Sequence, residues 1–565
     1  MQSRWIIAPP EQLNGGPILW SEICDSECIA RILLRKGFAT SEEVQGFLRP
    51  RLKLLTDPFL LPNMEVAVGR ILAALDRKER IVLFGDYDVD GVTSLTLLAE
   101  VLQGFGAVPG LFLPLRMEEG YGLSPESVDR CLEQHRPDLL ITVDCGTSSL
   151  NEIAELKKRG VDVIVLDHHE PKSSLPDCVA VVNPKIDPNS AFDYLCSVGI
   201  TFKLCHALLK RRPVDIDLKS KLELVALGTV ADLVPLHAEN RTLVQRGAVE
   251  LSKSTRPGLK KLMQLSGVIG PVLAEDIAYR LGPRLNAAGR LTTAEKALRL
   301  LLTQEANEAA ELAQFLDKQN RERQEVERQI VSAAEARLAK DFVAARDAGI
   351  VLAERDWHPG VLGIVASRIA RKYHRPTIII GLDANGIGKG SGRSIMGFNL
   401  VEALAGCETH LDKFGGHEMA AGITIREESV DSFSTAFREI ARAILTDDDL
   451  QPRLSLDHEL NFSELNLEFL KWHELLQPFG NGNLQPCFIS RSVELAAPPK
   501  SVNDKHLILR LRQGNYHRRA VYFDGASEPL PAAPWDVAFR VRANNYEGET
   551  LLDLHIAAIR EAASA

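Results

Sequence analysis

The sequence has no CxxC pair. Its nine cysteines, Cys24, Cys28, Cys131, Cys145, Cys178, Cys196, Cys205, Cys407 and Cys487, are scattered through 565 residues. The odd count argues against a disulfide framework, so most are expected to be small buried hydrophobes in a reducing compartment. No run approaches the ~20 apolar residues that a membrane-spanning helix needs, and the opening MQSRWIIAPP lacks the apolar core of a signal peptide. A cytoplasmic protein with no membrane partner is expected. Positive charge is not in excess either: 66 Lys and Arg against 76 Asp and Glu leave a net charge of −10. That excludes a generally basic nucleic-acid coat protein but not an enzyme of nucleic acids, because acidic metal residues and a local basic groove can coexist. There is no internal repeat and no low-complexity tract. With 45% hydrophobic and 25% charged residues, the chain is of ordinary globular composition and long enough for roughly three or four domains.

Against these absences stands a recurring pattern of acid behind apolar runs. Ile81–Phe84 leads into Asp86-Tyr87-Asp88-Val89-Asp90-Gly91. Leu139–Val143 leads into Asp144-Cys145-Gly146, Val163–Leu166 into Asp167-His168-His169, and Val225–Ala231 into Asp232. Unpaired buried carboxylates are costly, and a divalent cation is the usual compensation. Clusters at the ends of successive α/β units converge, because ligands bind outside the carboxyl ends of parallel strands. Asp86 and Asp88 are two apart and point to one side of an extended segment. Asp90 is placed to cap the helix starting near Gly91. Asp144 is placed to bridge two ions. Imidazole at His168 and His169 beside carboxylate favours a first-row transition metal. The set suits two cations about 3.5–4 Å apart and in-line attack on phosphorus. Any one of these aspartates, taken alone, would serve equally well as a helix N-cap.

Residues 1–60 read as a helical lead-in, with short amphipathic pieces at 29–34 and 44–48. From 61 to 302 apolar strand runs alternate with helical periodicity, the pattern of a mostly parallel α/β sheet. Residues 303–344 read as a connector helix, with Leu312, Phe315, Leu316, Val326, Ile330 and Ala334 at helical spacing. A smaller α/β unit is expected over 345–450, with strands at 349–352 and 377–380 and a loop carrying Gly386, Gly388, Gly390 and Gly392. Over 451–565 short alternating runs separated by Asn, Gly and Pro turns suggest a β-barrel.

DYDVDG, VDCG, DHH and GTVAD, in this order, resemble the DHH phosphoesterase superfamily. LGPRLNAAGR at 281–290, WHPGVLGIVASR at 357–368, SGRS at 391–394, FGGH at 414–417 and PFGNGN at 478–483 narrow the likeness to the RecJ family of bacterial single-strand-specific exonucleases. Val89 stands where the family usually has Ala; it is not a ligand type. The resemblance implies that Asp86, Asp88, Asp144, His168 and Asp232 are metal ligands, with His169 beside them. It implies Mn²⁺ as the preferred ion, with Mg²⁺ as an alternative. It implies a DHH catalytic domain, a DHHA1 domain forming the other wall of a cleft, and a C-terminal OB-fold for single-strand binding. The activity implied is 5′→3′ hydrolysis of single-stranded DNA to 5′-mononucleotides in DNA repair and recombination, alongside helicases and single-strand binding protein.

An end-directed nuclease needs a group that recognises the end. A terminal phosphate calls for Arg forks and hydroxyl or backbone N–H donors. Ser391, Arg393 and Ser394 are such a set, and Arg116 is another candidate unless it is spent on Glu118 or Glu119. Gly390 and Gly392 fit a loop closely approached by phosphate. Arg280, Arg284, Asn286 and Arg290 suit either strand phosphates and sugars or an interdomain polar network. His417 is placed at the scissile region or in support of the second wall. In the barrel, Lys505, His506, Arg510, Arg512, Arg518 and Arg519 lie near Tyr522 and Phe523, and residues 486–565 carry ten Lys and Arg against nine Asp and Glu. That mixture suits stacking plus phosphate contacts. Two other functions fit parts of the pattern. One is a phosphodiesterase for very short oligonucleotides or cyclic dinucleotides, against which the barrel argues. The other is a non-catalytic binding protein of the same fold, against which the intact acidic set argues.

Overall fold

The computed structural model describes residues 3–9, 20–116, 118–172, 174–291, 293–527, 529–546 and 549–562. Ile81–Gly85 and Leu139–Val143 are buried at every position, as strands covered on both faces must be. With Gly110–Phe112, Asp162–Leu166 and Ala180–Val182 they form a five-stranded, wholly parallel sheet. Its spatial order is 110–112, 81–85, 139–143, 162–166, 180–182. One large core joins Leu83, Ile141 and Ile164 of this sheet to Leu95, Ile200 and Val225 of the helices over it. The apolar run before Asp232 is not a strand, contrary to its place in the sequence pattern. Leu222–Ala231 is a helix, and Asp232 is its C-cap. It is buried almost all round, and a short buried helix cannot be told from a buried strand by apolar run alone.

The connector is one helix, Ala306–Asp341. Its first half gives Leu312, Ala313 and Leu316 to the core of the parallel sheet, and its second half gives Ile330, Ala334 and Leu338 to the core of the next unit. That unit is a five-stranded mixed sheet in the order 413–417, 420–426, 387–393, 377–382, 350–355, in which only 350–355 and 377–382 run parallel. The glycines at 388, 390 and 392 are not in a loop. They lie in the strand Ile387–Arg393, where the side chains of Ile425, Ile423 and Leu400 occupy the space that a Cβ would need.

The C-terminal strands close a barrel. Phe488–Val502, His506–Gln513, Tyr516–Tyr522, Glu549–Glu561 and Trp535–Tyr546 pair in sequence round the barrel, and the last pairs back to the first. The N-terminal helices Glu27–Arg35 and Ser41–Leu48 pack on this region rather than standing alone. Ile29, Leu33 and Val44 share a core with Phe462, Phe488, Leu509 and Phe539, and Arg4–Ile7 pairs in parallel with Arg453–Leu456. Among the described residues no helix is long and apolar enough to cross a membrane.

Candidate metal centre

The first motif turns sharply from strand to helix. The helix Val89–Gly104 begins at an N-cap, and the capping side chain is that of Asp88, which accepts from the Gly91 N–H at 3.1 Å. Asp90, expected to be the cap, lies inside the helix. Its two oxygens accept from the backbone N–H groups of Ser197 and Val198 at 2.7 and 2.8 Å, so it caps a different helix, Ser197–Arg211. Gly91 is required by proximity: a Cβ there would lie 2.3 Å from the Asp86 carbonyl oxygen.

Asp144 follows its strand in the left-handed region, with φ of 65°, a conformation uncommon outside glycine. Its backbone N–H donates to Leu166 O, and its Oδ1 accepts from the Ser197 hydroxyl at 3.0 Å. His168 Nε2 lies 3.4 Å from Asp144 Oδ1 and 3.6 Å from Asp232 Oδ2. Potential ligand atoms of Asp86, Asp88 and Asp144 lie within 4.8 Å of one another, and so do those of Asp144, His168 and His169 and those of Asp90, His168 and Asp232.

These residues fit divalent cations. Asp86 Oδ1, His168 Nε2 and Asp232 Oδ2 are shut away from solvent and have no hydrogen-bond partner. A buried polar atom left unpaired costs about 1–3 kcal/mol, and more when charged; here three such atoms belong to one cluster. Burial and then the neighbouring carboxylates push Asp232 up to about 9 and Asp90 up to about 7. Asp86 and Asp144 rise for the same reasons. Burial, followed by the proximity of His169, pulls His168 down to about 3 and leaves it a neutral nitrogen donor. A cation among these groups reverses the penalty on their charged forms.

His169 is held differently. Burial alone would lower its pKa, but the Asp167 carboxylate, 2.7 Å from its Nδ1, raises it. Burial would likewise raise Asp167, but His169 outweighs it and holds the acid low. The Tyr121 hydroxyl donates to the Asp144 carbonyl at 2.8 Å and stands 3.0 Å from His169 Nδ1. Ser197, Tyr121 and Asp167 therefore brace the ligands from behind, and Asp90, whose carboxylate also lies near His168 and Asp232, anchors the next helix. Among them only Asp90 and Asp167 lie in a motif that could have flagged them.

Arginines stand opposite the acids. Arg116 lies 4.9 Å over the Tyr87 ring and close enough to Asp86 to stabilise its anion. Among the described residues it has no ion pair with Glu118 or Glu119, and Glu119 pairs with Arg130. Burial, then Arg116 and Arg323, lower Arg290 to about 10. Arg290 also donates across the domain boundary to Gly360 O. Arg290, Arg323, Asn286 and Ile364 line a cavity of about 130 Å³ between the two α/β units. Asn286 Oδ1 accepts from the Val89 N–H, so this side chain also braces the first motif. Arg280 and Arg284 are engaged structurally, by Gly267 O and Asp276 and by Asp317 of the connector.

In the second sheet, Arg393 donates to Ser391 Oγ and Gly392 O. Its guanidinium lies over Gly363, near the start of the helix Leu362–Tyr373. Burial alone shifts it, downward, and no carboxylate among the described residues pairs with it. Register places His417, Ala420 and Arg393 side by side across three strands, so His417 and Arg393 share a face, two strand spacings or roughly 10 Å apart. The Ser394 hydroxyl turns away and donates to Phe398 O. On the barrel, most of the expected basic patch is already paired. Arg512 bonds Glu494, Arg519 bonds Asp553, Lys505 and His506 face Asp524, and Arg518 donates to backbone carbonyls. Arg510 is exposed and, among the described residues, has no such partner.

A parallel α/β sheet with acids and imidazole at its carboxyl edge, joined by a long helix to a mixed sheet bearing an unpaired arginine, defines a phosphoesterase of the DHH type. Its parts match the DHH family N-terminal domain over residues 80–229, the DHHA1 domain over 346–443 and the RecJ OB domain over 456–558. The chain belongs to the RecJ family. It is 36% identical over 531 residues to the single-stranded-DNA-specific exonuclease RecJ of Haemophilus influenzae, covering 89% of this chain and 91% of that protein. It is 38% identical over 526 residues to the RecJ of Bacillus subtilis, covering 92% of this chain but 66% of that longer protein. A crystal structure of Thermus thermophilus RecJ in complex with Mn²⁺ superimposes with a TM-score of 0.84 at 31% identity, covering 99% of this chain and 80% of that one.

Proposed function

We propose that this protein hydrolyses single-stranded DNA from its 5′ end and releases 5′-mononucleotides at a two-cation site. The observation that carries the proposal is the convergence of Asp86 Oδ1, His168 Nε2 and Asp232 Oδ2, buried and unpartnered, beside Asp88 and Asp144. Mn²⁺ is the cation proposed, with Mg²⁺ as alternative. A nitrogen donor among carboxylates supports this choice, as do structures of the Thermus relative with either ion. When bound, the cations supply positive charge to the transferring phosphoryl group and acidify the attacking water.

The protein's own residues do the rest. Asp86, Asp88, Asp144, His168 and Asp232 hold the ions. His169, oriented by Asp167 and Tyr121, holds a proton for the departing 3′ oxygen. Arg116 and Arg290 offset phosphate charge near the acids, with Asn286 at the same wall. Arg393, Ser391 and the adjoining helix start receive the terminal 5′-phosphate, and His417 lies on that face. Cleavage of the P–O3′ bond leaves a new 5′-phosphate on the shortened strand, so each turnover regenerates the group that Arg393 recognises. Arg280 and Ser394 are held by structural bonds, to Gly267 O and Asp276 and to Phe398 O. The barrel carries the strand beyond the cleft.

A narrow space between two domains admits one strand, so a helicase that opens duplex and a single-strand binding protein that covers the product are the partners proposed, in repair and recombination. Nine free cysteines, eight of them buried, support a reducing, cytoplasmic setting. The test is a single strand labelled at either end, incubated with Mn²⁺ or with chelator. Stepwise mononucleotide release from the 5′ end in Mn²⁺ alone is expected. Release from the 3′ end, or equal release with chelator, overturns the proposal.

A further inference from the structure

Pro478–Asn483 (PFGNGN) is remote in sequence from every metal ligand, yet it is seated directly behind one. Leu233, the residue after Asp232, has φ of 63°. A branched side chain is strained there, and the Leu233 side chain is 67% exposed, so packing does not hold it. Hydrogen bonds do. Asn481 Nδ2 donates to Leu233 O at 2.7 Å, and the Leu236 N–H donates to Asn481 O at 2.7 Å. Asn240 Nδ2 grips the same turn from the other side, donating to Pro235 O at 3.0 Å.

The fit between the two segments is close. A Cβ on Gly480 would lie 2.7 Å from Leu236 Cδ1, and one on Gly482 would lie 2.9 Å from Pro235 Cβ. The base of the segment is fixed as well. Asn483 Nδ2 donates to Leu476 O and Pro478 O at 2.8 and 2.7 Å. Arg241 gives its guanidinium to the carbonyls of Phe47, Leu475 and Leu476 at 2.8–2.9 Å. A buried guanidinium with no carboxylate partner is a costly fastening, and here, stacked on the Phe47 ring, it ties the base of the Asn481 segment to the helix that follows the Asp232 turn.

We infer that Asn481 is a positioning residue for the metal ligand Asp232. It holds the Leu233–Leu236 turn, and through it the Asp232 carboxylate, from the C-terminal module. The inference rests on the proposed two-cation site. It makes the region leading into the barrel part of how the metal is bound as well as of how the strand is bound.

The test is calorimetric titration of Mn²⁺ into full-length wild type and Asn481→Ala, with melting curves and single-strand affinity measured in chelator. Outer groups that orient ligands typically carry about 10–100-fold in metal affinity. Asn481 acts through backbone, so the lower end, about tenfold weaker Mn²⁺ binding, is expected. The Mn²⁺ concentration for half-maximal cleavage should rise in parallel, and the rate should recover as Mn²⁺ is raised. A contact that serves only to join the modules would lower melting and leave the Mn²⁺ constant in place. Gly480→Ala, which pushes on Leu236, should weaken Mn²⁺ too, and it carries the test if Asn481→Ala does not fold. Wild-type affinity in both variants overturns the inference while leaving the two-cation site intact. Failure of wild type to bind Mn²⁺ overturns both.

Discussion

Metal-free protein should lose stability as pH rises from 6.5 to 8.5. Asp232 is pushed up to about 9 and Asp90 to about 7, with Asp86 and Asp144 shifted the same way, by burial and by one another. In the unfolded chain these groups ionise near 3.9. A folded pKa above the unfolded one favours the fold at low pH, and the benefit is lost as pH climbs through the folded value. In this window the folded state retains protons that the unfolded chain has released. One such proton is worth about 1.4 kcal/mol per pH unit, or about 3 kcal/mol across two units. For a cooperative unit of 150–250 residues that is about 6–12 °C in Tm. His168, held at about 3, acts with the opposite sign, but only below its ordinary value of 6.5. His169, raised above its ordinary value, acts with the carboxylates. The assay is scanning fluorimetry in chelator and in saturating Mn²⁺ at several pH values. The gap between the two curves should widen with pH, because the cations keep the carboxylates ionised in the fold. A flat or rising Tm in chelator, or a constant gap, would refute the assignment of these acids to one mutually repelling, cation-ready cluster.

Asp144→Ala should reduce cleavage by several powers of ten and leave single-strand affinity and far-ultraviolet dichroism near wild type; normal turnover in Mn²⁺ would move the site elsewhere. Arg393→Ala should erase most of the single-turnover advantage of 5′-phosphorylated over 5′-hydroxyl strands while Mn²⁺ affinity stays put, and an unchanged ratio would pass the role to Arg116. Removal of residues after 485 should yield unstable protein, because Ile29, Leu33 and Val44 would lose Phe488, Leu509 and Phe539 from their core; a normally melting truncated protein contradicts that packing. Arg510→Ala is the gentler probe of the barrel, and should reduce the salt slope of long-strand binding by about one if that cation touches phosphate.

The three acid clusters that end true strands were legible because a buried parallel strand leaves a short apolar run and a following carboxylate. The cluster at Asp232 looked identical for a different reason, since a short helix buried on all sides has no polar stripe to betray its period. Asp88 and Asp90 show the limit most clearly. Both are acids at a helix start, and which of them caps that helix depends on where Ser197, more than a hundred residues away, presents its N–H. The glycines at 388, 390 and 392 invited a loop, because glycine's small size and its flexibility leave the same letter in the sequence. Here size is what Ile423 and Leu400 require. Arg284 and Arg290 belong to one motif and one helix, yet one meets an aspartate of the connector and the other crosses the domain boundary to Gly360 O. Only the packing of that helix separates them.

Ala306–Asp341 spans about 54 Å at 1.5 Å per residue, and each half is buried in a different core. The two units are thus jaws riveted to a single beam, as in a fixed gauge rather than a pair of tongs. Arg290 adds a second tie, reaching Gly360 O across the gap. Discrimination between one strand and two then becomes a matter of calibre. It should be indifferent to which cation sits below.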